Sequence, residues 1–159
     1  MKKLLMGDEL LVVFALVGDT IFGLDIQSIV SIIEYGETRK VPLAPKHMNS
    51  IINYHGQIIT LFDIKFYFGG KNSTAPEEKK IIYLKMKDKK LQIGLIIDKI
   101  TDIDYVSPSC IKTIPKGQNS GIKTNFFKGL FVIDEDSPEI YWLSTNKIEE
   151  FVNGIEINI

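Results

Sequence analysis

Two stretches 71 residues apart follow the same plan, and that repetition constrains the fold more than any other feature. An apolar run from Leu10 to Ala15, a turn at Gly18-Asp19 and a β-branched stretch from Ile21 to Ile33 read as a hairpin followed by a long strand. The layout returns as Ile81 to Met86, a turn at Lys87-Asp88-Lys89, and Leu91 to Ile103. Superposing Ile21-Phe22-Gly23-Leu24 on Gln92-Ile93-Gly94-Leu95 also pairs Ile29 with Ile100 and Ile32 with Ile103. Each half then has a second hairpin. The first runs from Ile51-Ile52 through a turn near Gly56 and on to Phe62; the other follows Leu130-Phe131, with its tip at Asp134 to Pro138. We read an internal duplication of a small all-β unit.

Residues 69–80 lose all hydrophobicity and concentrate turn formers and charge, so they mark an exposed linker. This gives a first β subdomain over 10–68 and a second over 81–145. Asn146 and Glu149 have capping-box spacing, which predicts a short C-terminal helix over 146–152, stopped by Gly154. Val41 to Pro45 is expected to be extended, with Pro45 opening a short helix through Met48. At 159 residues, with 19 Lys+Arg against 20 Asp+Glu, the chain lacks the basic excess of a nucleic-acid surface. The apolar start Leu4-Leu5-Met6 is cut off by Gly7-Asp8-Glu9 too early for an export signal, and no apolar run is long enough for membrane insertion. A single cysteine, Cys110, fits a reducing, cytoplasmic setting.

Catalytic apparatus is not visible. His47 and His55 are eight apart with no carboxylate between them, which argues against a metal site, and neither a nucleophile motif nor a phosphate loop is present. No cofactor is expected. Asp63, at the end of a strand, reads as a carboxylate bonding backbone amides. Strand alternation puts Leu24, Ile26, Val30 and Ile32 on one face and Asp25, Gln27, Ile29, Ser31 and Ile33 on the other, so this strand is covered on both sides.

The run Ile51-Ile52-Asn53-Tyr54-His55-Gly56-Gln57-Ile58-Ile59-Thr60-Leu61-Phe62-Asp63-Ile64-Lys65 resembles the central signature of CheW-type chemotaxis coupling proteins, G-V-I-N-x-R-G-x-[IV]-[IV]-P-[IV]-x-D-L-R. The likeness extends over about residues 10–152. It implies two five-stranded β-barrels, each like a Src-homology-3 domain, packed on a shared apolar core. It further implies no enzyme activity, and a bridging role between the cytoplasmic helical tips of chemoreceptors and the regulatory domain of a CheA-type histidine kinase. This chain departs from the signature: the opening glycine is Ser50, the arginine is His55, the proline is Thr60 and the closing arginine is Lys65. Ser31 stands where members often carry a glutamate that pairs with that arginine. Both partners of the pair are thus lost together, and Ser31 with a neutral imidazole leaves no uncompensated charge. Strand parity and the matched positions together suggest a partner-binding surface of Ile29, Ser31, Ile33, Ser50, Asn53, His55, Gly56 and Asp63.

Two other functions compete with this one. A small β-barrel binding an oligonucleotide or other polymer would need an aromatic platform beside basic groups, for which Phe66-Tyr67-Phe68 between Lys65 and Lys71 is the candidate. An enzyme would have to use Cys110.

Overall fold

The computed structural model describes residues 9–45, 48, 50–67, 78–114 and 126–156. Twelve strands are present among them: β1 (Leu10–Val17), β2 (Thr20–Asp25), β3 (Ile29–Glu34), β4 (Arg39–Lys40), β5 (Ser50–Tyr54), β6 (Gln57–Phe62), β7 (Lys80–Leu84), β8 (Ile93–Ile97), β9 (Lys99–Val106), β10 (Ile111–Lys112), β11 (Phe127–Phe131) and β12 (Ile140–Leu143). One helix, α1 (Thr145–Glu156), follows them. Sheet I has the order β10-β11-β12-β2-β1-β9 and sheet II the order β4-β5-β6-β8-β7-β3. The two orders become the same when each strand of the first half is exchanged for its repeat in the second.

The duplication is therefore visible in the topology, with an addition that the sequence repeat does not contain. Each half lends its first hairpin to the other. Hairpin β1-β2 lies between β12, which pairs in parallel with β2, and β9, which pairs antiparallel with β1. Hairpin β7-β8 is inserted in the same way between β6 and β3. A division of the chain at 69–80 thus describes the repeat but not the sheets, since each sheet draws strands from both sides of it; most of 69–80 lies outside the described residues.

The exchange requires the chain to change sheets where a continuous strand was expected. Between β2 and β3, residues Ile26–Ser28 form a 3-10 turn, capped by Asp25, whose Oδ1 accepts from the Ser28 amide at 3.0 Å and the Ser28 hydroxyl at 2.7 Å. Between β8 and β9 the crossing residue is Asp98, a buried carboxylate that accepts the Gly18 amide at 2.7 Å across to the β1-β2 turn. Asp98→Ala would leave that buried amide without its acceptor, at a cost of about 2–3 kcal/mol. Asp98→Asn, which keeps an acceptor oxygen, is expected to recover part of the loss in urea unfolding.

Three apolar clusters hold the sheets. The largest draws on both, joining Phe22 and Leu24 of sheet I to Ile82, Leu84 and Leu95 of sheet II, together with Ile148 and Val152 of α1. A second, of Ile33, Ile52, Ile59, Leu61 and Ile81, belongs to sheet II alone. A third, of Val12, Phe14, Val106 and Phe131, belongs to sheet I. Neighbours on one strand serve opposite sides: Ile81 faces the sheet's own cluster and Ile82 the shared one. Both faces of the inserted strand β7 are covered in this way, but β3 is not covered twice as its apolar pattern suggested: past the 3-10 turn it is an edge strand, with Val30 53% and Ile32 39% exposed.

Two closed five-stranded barrels are not what forms. Each sheet has six strands and ends in unpaired edges, β9 and β10 in one, β3 and β4 in the other. The borrowed hairpin supplies the extra width. Sheet II nevertheless curls strongly: β3 and β5 are four strand spacings apart, about 19 Å if flat, yet Ser31 Oγ lies 3.2 Å from the Tyr54 hydroxyl. Side chains close this seam in place of a backbone ladder.

Local corrections follow from the same contacts. Ala44 N donates to the Val41 carbonyl at 3.3 Å and Leu43 has φ +66°, so the proline segment makes a tight turn rather than an extended stretch, with Leu43 fully exposed. Met48 N donates to the Pro45 carbonyl at 2.9 Å, and the rest of the short helix expected there lies outside the described residues. Helix α1 begins earlier and runs through Gly154. Its cap is Ser144, whose Oγ accepts the Lys147 amide at 3.2 Å, and not Asn146. Glu149 instead reaches out of the helix, accepting the Lys87 and Asp88 amides at 2.9 and 3.0 Å. That carboxylate fastens α1 to the β7-β8 turn.

Candidate functional site

The signature turn lies at one end of sheet II. His55 and Gly56 both have positive φ, +52° and +84°, which is what a two-residue hairpin of the primed type demands. Glycine adopts this conformation freely, whereas histidine does so at a cost. Asn53 Oδ1 steadies the turn by accepting the Gly56 amide at 3.0 Å. His55 is exposed, and its ring stands edge-on to Tyr54 with centroids 4.2 Å apart.

Tyr54 connects that turn to β3 and β7. Its hydroxyl meets Ser31 Oγ, and its ring packs edge-on against Tyr83 with centroids 6.2 Å apart. The Tyr83 hydroxyl in turn donates to Gln57 Oε1 at 3.1 Å. Ser31 and His55, the positions of the missing charged pair, are thus joined through Tyr54 by a hydroxyl contact and a ring contact. Tyr54 was legible as part of the motif. Gln57 also lies in the motif, but its meeting with Tyr83 was not legible, because that depends on β7 being inserted between β8 and β3.

The other expected partner-surface residues separate by burial. Asn53 and Gly56 are exposed with His55, and Ser31 and Ile29 are half-buried, Ile29 against the shared core. Ile33 and Ser50 are buried, Ile33 inside the sheet II cluster. Asp63 Oδ1 accepts the Lys65 amide at 3.2 Å and so opens the short 3-10 turn Ile64–Tyr67. The outward positions of β3 are Val30 and Ile32. Cys110 is half-buried against the sheet I cluster. His47 and Phe68 lie outside the described residues. Among the described residues no group of three His, Cys, Asp or Glu side chains is placed to hold a metal ion, and no helix is long and apolar enough to cross a membrane.

Replacing His55 by asparagine would keep the turn and relieve its strain. His55→Asn is expected to raise stability by about 0.5–1 kcal/mol, read as a higher urea midpoint with unchanged slope.

Known proteins resemble this chain over nearly its whole length. The family model described as the CheW-like domain matches residues 11–150. A probable chemotaxis protein CheW from Rhizobium etli is 28% identical over 134 residues, covering 84% of each chain. A chemotaxis protein CheW from Treponema pallidum is 27% identical over 124 residues, covering 76% of this chain and 71% of that one. Among solved structures, the scaffolding protein TtCheW from Thermoanaerobacter tengcongensis superposes with a TM-score of 0.75 at 25% identity, covering 86% of this chain and 85% of its own. Taken with the duplicated two-sheet fold and the signature turn, a match across residues 11–150 shows that the chain belongs to the CheW-like family of chemotaxis coupling proteins.

Proposed function

We propose that the chain is a non-catalytic scaffold that couples the cytoplasmic tips of chemoreceptors to the regulatory domain of a CheA-type histidine kinase, and so works in the cytoplasm. The signature turn carries this reading. It presents exposed Asn53, His55 and Gly56 at the end of sheet II, with Ser31 joined to them through Tyr54. Of the remaining positions in the matched surface, Ile29, Ile33, Ser50 and Asp63 act from beneath, by fixing β3, β5 and the chain after β6. Such a surface recognises by shape and short-range polar contacts, since the charged pair common in the family is absent from it.

The test is a pull-down of purified kinase regulatory domain and purified receptor signalling tip, both from the same genome, on the immobilised chain. Retention of both is expected. Retention of neither would sink the coupling role, and binding of a labelled single-stranded oligonucleotide in a low-salt filter assay would favour the polymer-binding alternative.

A further inference from the structure

The seam of sheet I differs in chemistry from the one that Tyr54 closes. The duplication pairs Ser31 with Asp102 and, at the second hairpin, Tyr54 with Ile133. Isoleucine is too short to do what Tyr54 does, and a cleft of about 200 Å3 remains, walled by Phe14, Ile21, Ile140 and Ile133. Asp102 and Asp104 stand along its edge on β9, directly opposite Phe14 and Val12 of β1. Among the described residues no lysine or arginine lines it. Each carboxylate accepts the next backbone amide, Asp102 from Ile103 at 2.9 Å and Asp104 from Tyr105 at 2.8 Å. These two amides of the edge strand are therefore occupied, and the acidic side chains oppose pairing by an incoming strand. What stays accessible is apolar surface beside negative charge, with Ile133 45% and Tyr105 50% exposed.

We infer that this seam is a second docking site, which takes one leucine-sized apolar side chain flanked by lysine or arginine on a partner protein. The volume suits one such side chain, the floor is apolar, and the two carboxylates select the flanking charge. The inference does not rest on the kinase and receptor reading, because the seam is on the other sheet from the signature turn.

The probe is a capped peptide, Lys-Lys-Leu-Leu-Lys-Lys, titrated into the 15N-labelled full chain, with Glu-Glu-Leu-Leu-Glu-Glu as control. Saturable shifts at Thr101 to Val106 and Ile133 are expected for the lysine peptide alone, weakening as salt is raised. The double variant Asp102→Asn with Asp104→Asn should bind about tenfold more weakly. Ile133→Tyr, which rebuilds the contact made by Tyr54 and leaves the charge unchanged, should abolish the shifts and serves if the double variant does not fold. Absence of shifts at these amides, an equal response to the glutamate peptide, or full binding by Ile133→Tyr would overturn the inference. So would binding that appears only after removal of residues 1–8, since the occupant would then be the chain's own Lys2-Lys3-Leu4-Leu5. No kinase or receptor is in the assay, so its failure is separate from failure of the coupling role.

Discussion

Gly94→Ala is expected to destabilise the protein by about 2–3 kcal/mol, lowering the melting temperature by roughly 4–12 °C. Gly94 lies on β8, paired on one side with β6 and on the other with β7. A Cβ there would come within 2.6 Å of Ile81 Cγ2, 3.1 Å of Ile59 Cγ2 and 3.2 Å of Leu61 Cδ2. All three neighbours belong to the buried cluster of sheet II, so the added methyl has no space to enter. Ile81→Val should recover part of the loss in the Gly94→Ala background while costing stability by itself, a coupling that a double-mutant cycle measures directly. Additive effects would mean that the strain is relieved elsewhere. Gly23, its repeat on β2, meets Val12 and Phe131 at 2.8 and 2.9 Å, and the same argument applies there.

The second large effect concerns binding. Ser31→Glu with His55→Arg is expected to raise affinity about tenfold, roughly 1.4 kcal/mol, for a CheA-type regulatory domain whose own coupling protein carries the Arg-Glu pair. Tyr54 already holds positions 31 and 55 together, so the new pair forms on an existing support. His55→Arg alone should gain little, because a guanidinium without its carboxylate adds a charge to desolvate and no partner to meet it. Isothermal titration of the natural chain, both single variants and the double variant checks this. Tight binding by the natural chain with no gain in the double variant would mean that Ser31 and His55 do not set specificity. Ile29 is a poor site for such tests, because it packs on the shared core and Ile29→Asp would unfold as well as unbind.

Repetition, alternation and turn chemistry are local, and they were readable. The two hairpins of each half, the turn at Gly56 and a C-terminal helix all follow from residues close in the chain. The seeming long strands were misread for the same reason. The core-facing side chains change parity at each crossing, from Leu24 to Ile29 and from Ile97 to Ile100, and an unbroken run of β-branched residues does not announce that change. The candidate site was legible as a motif, and its tyrosines and glutamine were not legible as neighbours.

The sequence by itself determined that this chain is a duplicated β protein and which turn carries its family signature, because glycines at close approaches and positive-φ turns admit few alternatives. Only the tertiary structure decided which sheet each hairpin joins. Hydrogen-bond ladders are indifferent to where in the chain their strands come from, and burial in the shared cluster rewards whichever exchange covers both faces of each sheet. The same long-range arrangement closes one seam with Tyr54 against Ser31 and leaves the other open beside Asp102 and Asp104.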